Sequence, residues 1–381
     1  MKILITTDLY TTATNGVVTS VKNLYNELVE KGHDVKILTF SEKAKSYKKD
    51  NVYYVRSMSL EVVYPNVRMP LSYRHKYLRE IIEWDPDVIH SQCEFFSMEY
   101  ACRIAKKTGA PIVHTYHTMY EQYVGYVVPG KKLGNWVVKY LTQLRLKKVD
   151  LVVVPTTKIE NLLHSYPVDK PMEIVPSGIS LEQHKNRMSE QERARKRADL
   201  GIFDAQSVLL NLGRLGTEKN LPELVRFFKD AHDKHAELVF LIVGDGPAKT
   251  ELEKLAKELG VEDSVIFTGM VDPSEVQKYY QLGDIFVSAS TSETQGLTYI
   301  EAAANGLPLL CRQDPCLDDV LKQGENGYAY NTEQEFLGAL DTILADREWQ
   351  KNASIRSEQL ASVFDRKHFG DAIEAIYNNI K

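Results

Sequence analysis

The sequence is short of cysteine, of long apolar runs and of dinucleotide-type glycine strings, and each shortage excludes a class. Four cysteines, Cys93, Cys102, Cys311 and Cys316, are spread over 381 residues with no Cys-x-x-Cys pair. That spacing supports neither a zinc site nor a redox motif, and it fits a reducing cytoplasm. No stretch approaches the roughly 20 apolar residues that a membrane span needs. The opening MKILITTDLY runs straight into an apolar strand, without the basic start, apolar core and small-residue cleavage site of a signal peptide. No low-complexity tract or helical solenoid period is present. No Gly-x-Gly-x-x-Gly follows the first strand. No Asp-x-Asp loop of metal-binding type stands out, since Asp85-Pro86-Asp87 precedes a strand and reads as structural.

What is present is a rhythm repeated twice. Apolar, β-branched runs at 2–6, 34–40, 51–56, 87–90, 111–115, 151–154 and 173–175 alternate with helical patterns such as 18–31 and 97–108. A second series has runs at 207–212, 237–243, 264–267, 285–288 and 308–311, with helical patterns at 221–232, 249–259, 274–282 and 297–305. Short buried strands joined by helices imply mostly parallel sheets covered on both faces. The fold class expected is α/β, with two Rossmann-like domains at 1–178 and 179–361. A C-terminal helix follows at 362–381. The linker falls near Pro176–Gly178, and 180–200 is polar with no strand pattern. Ligands of open parallel sheets bind beyond the carboxyl ends of the strands, so functional residues are sought just after each run.

Charge divides the chain. Residues 1–180 carry 24 Lys and Arg against 18 Asp and Glu, and the remainder carries 23 against 34. The basic half suits an anionic surface. Within it, 131–148 holds Lys131, Lys132, Lys139, Arg145, Lys147 and Lys148 and no acid, while Leu133, Trp136, Val137, Tyr140, Leu141 and Leu144 recur at helical spacing. A basic amphipathic helix with an interfacial aromatic lies on anionic lipid, and the alternative is a core-packed helix with a solvated basic face. Nucleic acid would also accept such a patch, but the acidic second half argues against it.

Two loops in the second half concentrate chemistry. After the run 285–288 comes Ser292-Glu293-Thr294-Gln295-Gly296-Leu297-Thr298-Tyr299-Ile300-Glu301. Glu293 sits in the loop and Glu301 in the next helix, and Gly296 allows close approach of backbone to a ligand. The N–H groups of Gln295 to Thr298, at the helix start, suit a phosphate. After 207–212 comes Gly213-Arg214-Leu215-Gly216-Thr217-Glu218-Lys219-Asn220, where Arg214 and Lys219 suit a diphosphate. Gly244-Asp245-Gly246-Pro247 reads mainly as a structural turn, and Gly269 could border a base pocket. In the first half, Gly16 near a helix start allows close approach of a phosphate or acceptor. His117, in His114-Thr115-Tyr116-His117, is favoured over His114 as a polar contact, although a lone His after a strand is more often a satisfied structural group.

Taken together, SETQGLTYIEAAANG, GRLGTEKN, VPSGI and HTYH make the chain resemble the retaining glycosyltransferases of family 4, with the GT-B fold, over essentially its whole length. That resemblance implies two domains facing a central cleft, with the C-terminal helix crossing back to the first. It implies that Glu301 binds the ribose of a nucleotide sugar and that Glu293 sits by the sugar. Arg214 and Lys219 would hold the diphosphate, and His117 would contact the sugar. The family usually works without a bound metal. Asn15-Gly16 departs from the Gly-Gly pair of many members. HTYHTMYEQYVGY, DVIHSQCEFF and SETQGLT look closest to the bacterial enzymes that glucosylate diacylglycerol. The expectation is therefore transfer of glucose from UDP-glucose to 1,2-diacylglycerol by a protein peripheral to the inner face of the cell membrane, with no cofactor. Other acceptors (phosphatidylinositol, a polysaccharide, a soluble small molecule), a sugar-phosphate epimerase or phosphorylase, and a non-catalytic nucleotide-sugar binder are the rivals.

Overall fold

The computed structural model describes residues 1–10, 15–60, 68–122 and 131–380, and the side chains of 122 and 131–133 lie outside that description. The chain divides into two compact units, Met1–Gly178 with Arg366–Lys381, and Ile179–Asp365.

The first unit is built on β1 (Lys2–Thr6), β2 (Asp34–Ser41), β3 (Tyr47–Lys49), β4 (Val52–Ser59), β5 (Arg68–Pro70), β6 (Val88–Ser91), β7 (Ile112–Thr115), β8 (Leu151–Val154) and β9 (Met172–Ile174). Among the described residues the order is β3-β4-β2-β1-β6-β7-β8-β9, with β5 on β4. The pairs are parallel except at the β3–β4 and β4–β5 edge. One face buries Leu4, Ile89, Ile112 and Val152 against the helices Lys76–Trp84, Phe96–Thr108 and Thr157–His164. The other face buries Ile3, Ile5, Val88 and Val113 with Val21 and Leu24 of helix Gly16–Glu30 and Phe369, Ile373 and Tyr377 of helix Arg366–Asn379. These last two helices touch at Gly370, where an added Cβ would stand 2.2 Å from Glu27 Cγ, so only glycine fits the crossing.

The second unit carries β10 (Ser207–Leu212), β11 (Leu238–Val243), β12 (Val265–Gly269), β13 (Ile285–Ser288), β14 (Leu309–Arg312) and β15 (Gly327–Tyr330), in the order β12-β11-β10-β13-β14-β15 and all parallel. Every residue of β11, LVFLIV, is buried, as expected of a strand covered by helices on both faces.

The polar stretch 180–200, which carried no strand pattern, folds as helices Leu181–Lys185 and Glu190–Asp199. The second opens with a capping box, in which Ser189 and Glu192 satisfy each other's backbone N–H groups. The terminal helix starts at Arg366 rather than at 362. Residues Ser362–Phe364 form a 3₁₀ turn of the second unit, where Phe364 O accepts from Ile179 N at 2.8 Å and Asp365 bridges Ile179.

Candidate active site

In the second unit, the loops after β10 and β13 are tied to each other. β10 ends in Gly213, whose φ of 150° turns the chain out of the sheet, and the loop closes through the 3₁₀ turn Thr217–Lys219 and a left-handed Asn220 at φ 51°. The Lys219 ammonium donates to the Glu293 carboxylate at 2.5 Å. Ser292 Oγ donates to Glu218 O at 3.2 Å. Residues 74 positions apart in sequence thereby form one surface. The Arg214 guanidinium donates to the buried Glu218 carboxylate. Each of the two cations expected from sequence to meet an anion thus carries a carboxylate partner.

The helix Leu297–Ala304 starts at Gly296, which sits in the left-handed region at φ 77° and supplies no side-chain cap. A Cβ there would stand 2.4 Å from the Tyr299 ring, which packs on Phe286 and hydrogen bonds Ser288 at 3.0 Å. Gly296 is therefore required by packing as well as by access to the helix N-terminus, where the backbone partial positive charge at Leu297 and Thr298 points into the loop that holds Gln295. Glu301, one turn into the helix, accepts from Tyr280 Oη at 2.7 Å. Burial pushes its carboxyl up to about 7, against which the Tyr280 hydrogen bond acts. It is joined to Tyr280 and not to Lys219.

Gly244 and Gly246 are structural. A Cβ on Gly244 would stand 1.9 Å from Gly213 O, and one on Gly246 would stand 2.5 Å from Leu215 O. The two loops lie backbone against backbone. Gly269 ends β12 at φ 72° and bridges Gly244.

In the first unit, His117 follows β7. Its Nε2 pairs with Gln92 Oε1 at 2.7 Å, and burial with the neighbouring His114 pushes its pKa down to about 3. It is a neutral imidazole at pH 7, fit for hydrogen bonding rather than for bearing a charge. His114 is fully buried against Glu94 at 3.1 Å, and Glu94 also receives Tyr120 Oη. Asp8 accepts from Ser97 N at 2.8 Å and caps the helix Phe96–Thr108, whose own N-cap, Phe95, has no side chain able to do so. Burial pushes the Asp8 carboxyl up to about 6. Gly16 opens helix Gly16–Glu30, where Asn15 Oδ1 caps Val18 N at 2.9 Å, and 11–14 before it lie outside the described residues. Gln92, Glu94, Asp8, Glu218 and Tyr280 were not singled out from sequence. Glu218 lay inside the string GRLGTEKN, and Gln92 and Glu94 inside DVIHSQCEFF, without a role of their own.

The helix Lys131–Leu146 does not bury its apolar stripe. Trp136 is 62% exposed, Tyr140 48%, Leu141 49% and Leu144 39%, and the Trp136 and Tyr140 rings stack at 5.6 Å. Lys139, Arg145, Lys147 and Lys148 surround it. Lys139 Nζ donates to Ser165 O, while Arg145 and Lys148 lie 4.0 and 3.6 Å from Glu99. The side chains of Lys131 and Lys132 are outside the described residues. Among the described residues no helix is long and apolar enough to cross a membrane.

Two family models match the chain, "Glycosyltransferase Family 4" over residues 14–183 and "Glycosyl transferases group 1" over 192–359. The α-monoglucosyldiacylglycerol synthase of Streptococcus pneumoniae is 34% identical over 380 residues, covering 99% of this chain and 85% of the relative. The enzyme of the same name from Acholeplasma laidlawii is 30% identical, covering 99% and 96%. Among solved structures, Anabaena HepE in complex with UDP and glucose superposes with a TM-score of 0.78 at 15% identity, covering 100% of both chains. Sucrose-phosphate synthase of Thermosynechococcus elongatus gives 0.78 at 19%, covering 100% of this chain and 98% of that one. At those identities the two structures speak for the fold alone.

Proposed function

The chain belongs to the group 1, family 4 glycosyltransferases of the GT-B fold, and from that premise we propose that it moves glucose from UDP-glucose to 1,2-diacylglycerol with retention of anomeric configuration. The observation that carries the chemistry is the junction of the two loops through Lys219–Glu293 and Ser292–Glu218 beside an uncapped helix N-terminus. Lys219 and Arg214 exchange their carboxylates for the diphosphate, and the amides from Gln295 to Thr298 add partial positive charge where the leaving group gains negative charge. Glu301 takes the ribose hydroxyls. The reading takes Lys219, Arg214 and the helix N-terminus as the groups that stabilise the leaving diphosphate, so a chelator is expected to leave the rate unchanged.

The acceptor assignment draws on the two synthases and on the exposed Trp136–Tyr140–Leu144 stripe. An apolar strip rimmed by lysines and arginine matches an anionic lipid surface in both solubility and charge. Trp136→Ser with Tyr140→Ser is expected to reduce sedimentation with anionic vesicles by about tenfold or more and to leave nucleotide binding unchanged. Equal vesicle binding by the double variant would return the helix to an ordinary surface role.

A screen tests the whole reading. UDP-glucose, UDP-galactose, UDP-N-acetylglucosamine and GDP-mannose are offered with and without diacylglycerol in anionic vesicles, and both nucleotide release and glycolipid are followed. Glycolipid from UDP-glucose, formed only with vesicles, is the expected result. Nucleotide release that ignores lipid would overturn the acceptor, and no release with any donor would overturn the enzyme.

A further inference from the structure

The carboxyl end of β6 holds a buried polar group that the proposed chemistry does not use. Gln92 follows β6 directly, and its backbone N–H donates to Thr6 O at 2.8 Å, which fixes it at the sheet edge beside β1. Its side chain is buried, at 1% exposure. Oε1 pairs with His117 Nε2, and the amide nitrogen at the other end has no hydrogen-bond partner among the described residues. A carboxamide presents two N–H donors on that nitrogen, and a buried donor without an acceptor opposes folding. Such groups in a native fold call for an explanation, and a ligand atom is one. The residue two positions back along the strand offers no substitute. His90 pairs through Nδ1 with Tyr377 Oη at 2.6 Å and through Nε2 with Thr115 Oγ1 at 2.7 Å, so both its nitrogens are occupied.

We propose that Gln92 is a specificity-determining residue whose amide N–H groups donate to a hydroxyl oxygen of a reactant bound beside His117. The inference rests on the glycosyltransferase reading, because sugar and alcohol acceptor are then the hydroxyl-bearing reactants. Their chemistry at this point is the same, an sp³ oxygen able to accept from an amide. A hydrocarbon chain or a carboxamide hydrogen in that place would leave the donor unmatched.

Gln92→Leu removes the donor at nearly constant volume. Transfer to diacylglycerol and acceptor-free hydrolysis of UDP-glucose are measured for wild type, Gln92→Leu, His117→Ala and the double variant, together with the Tm of each. Gln92→Leu is expected to lower kcat/KM for transfer by roughly 10- to 100-fold. Its Tm moves by a few degrees at most, because the unmatched donor is gone while the Oε1 pair with His117 is lost with it. The loss persists in the His117→Ala background, as it must if Gln92 touches the ligand itself. A larger loss in transfer than in hydrolysis assigns the acceptor hydroxyl. Equal losses that disappear for one monodeoxyglucose donor assign the sugar hydroxyl. The proposal is overturned by unchanged kcat/KM, by losses that are equal in transfer and hydrolysis and persist on every donor analogue, or by an effect that vanishes without His117. A wild type that turns over no nucleotide sugar refutes the function reading instead.

Discussion

Glu293→Ala is expected to lower kcat by about 10²- to 10³-fold while the fold survives. The asymmetry comes from where the carboxylate sits. Glu293 is partly exposed and meets Lys219 across the gap between two loops. An ion pair of that exposure contributes only about 0–1 kcal/mol to stability, so the melting temperature should move by a few degrees at most. On the proposed reading the same carboxylate lies beside a sugar that gains positive character as its bond to the diphosphate breaks, and a group at such a position is worth several-fold more than a resting contact. The two roles separate in a double-mutant cycle with Lys219→Ala. If both residues serve one transition state, the second substitution costs much less in the background of the first. Near-normal turnover of Glu293→Ala would remove the loop from the active site. A parallel collapse of Tm and activity would make it a structural brace.

Most strands were legible to within about three residues because they are buried on both faces, and a strand such as Leu238–Val243 then reads as an unbroken apolar run. Elements without that signature were not. The edge strands Tyr47–Lys49 and Arg68–Pro70 are three residues long and polar in part, and they exist only because Val52–Ser59 offers an open edge. The helix Arg347–Ala361 buries chiefly small residues, Ala353, Ser357 and Ala361, so no apolar stripe announces it. In the site, the two loops could be picked out as strings. What joins them could not, since no spacing rule links Lys219 to Glu293, and Gly244 and Gly246 reveal their reason only where the loop after β11 lies backbone to backbone on the loop after β10. At Lys131–Leu146 helical spacing showed the stripe but not its direction, because periodicity is the same whether an apolar face meets a core or the solvent. Gln92 and Glu94 lay inside DVIHSQCEFF yet drew no role, for a related reason: their importance lies in what surrounds them once β6 and β7 pair.

The second large effect is a pH-dependent nucleotide affinity set by Glu301. Burial raises its carboxyl to about 7 from an ordinary value near 4.5, so between those values the folded protein holds a proton that the unfolded chain has released. The sign follows directly. More protons bound in the native state means that stability falls as pH rises through this window, and above about 7 the protein carries a buried carboxylate stabilised by the Tyr280 hydroxyl. Two ribose hydroxyls donating to that carboxylate would favour the charged form, so nucleotide binding releases a proton near neutrality. Affinity for UDP is expected to rise about tenfold between pH 6 and pH 8, following the ionised fraction of a group titrating near 7. Calorimetry in buffers of different ionisation enthalpy counts the proton released. Glu301→Gln keeps the shape and loses the charge. It should melt higher than wild type at pH 8, bind UDP roughly 10- to 100-fold more weakly there, and show a flat pH profile. A wild-type affinity independent of pH across this range would mean that Glu301 does not meet the ribose as a carboxylate. An unchanged affinity in Glu301→Gln would mean that it does not meet the nucleotide at all.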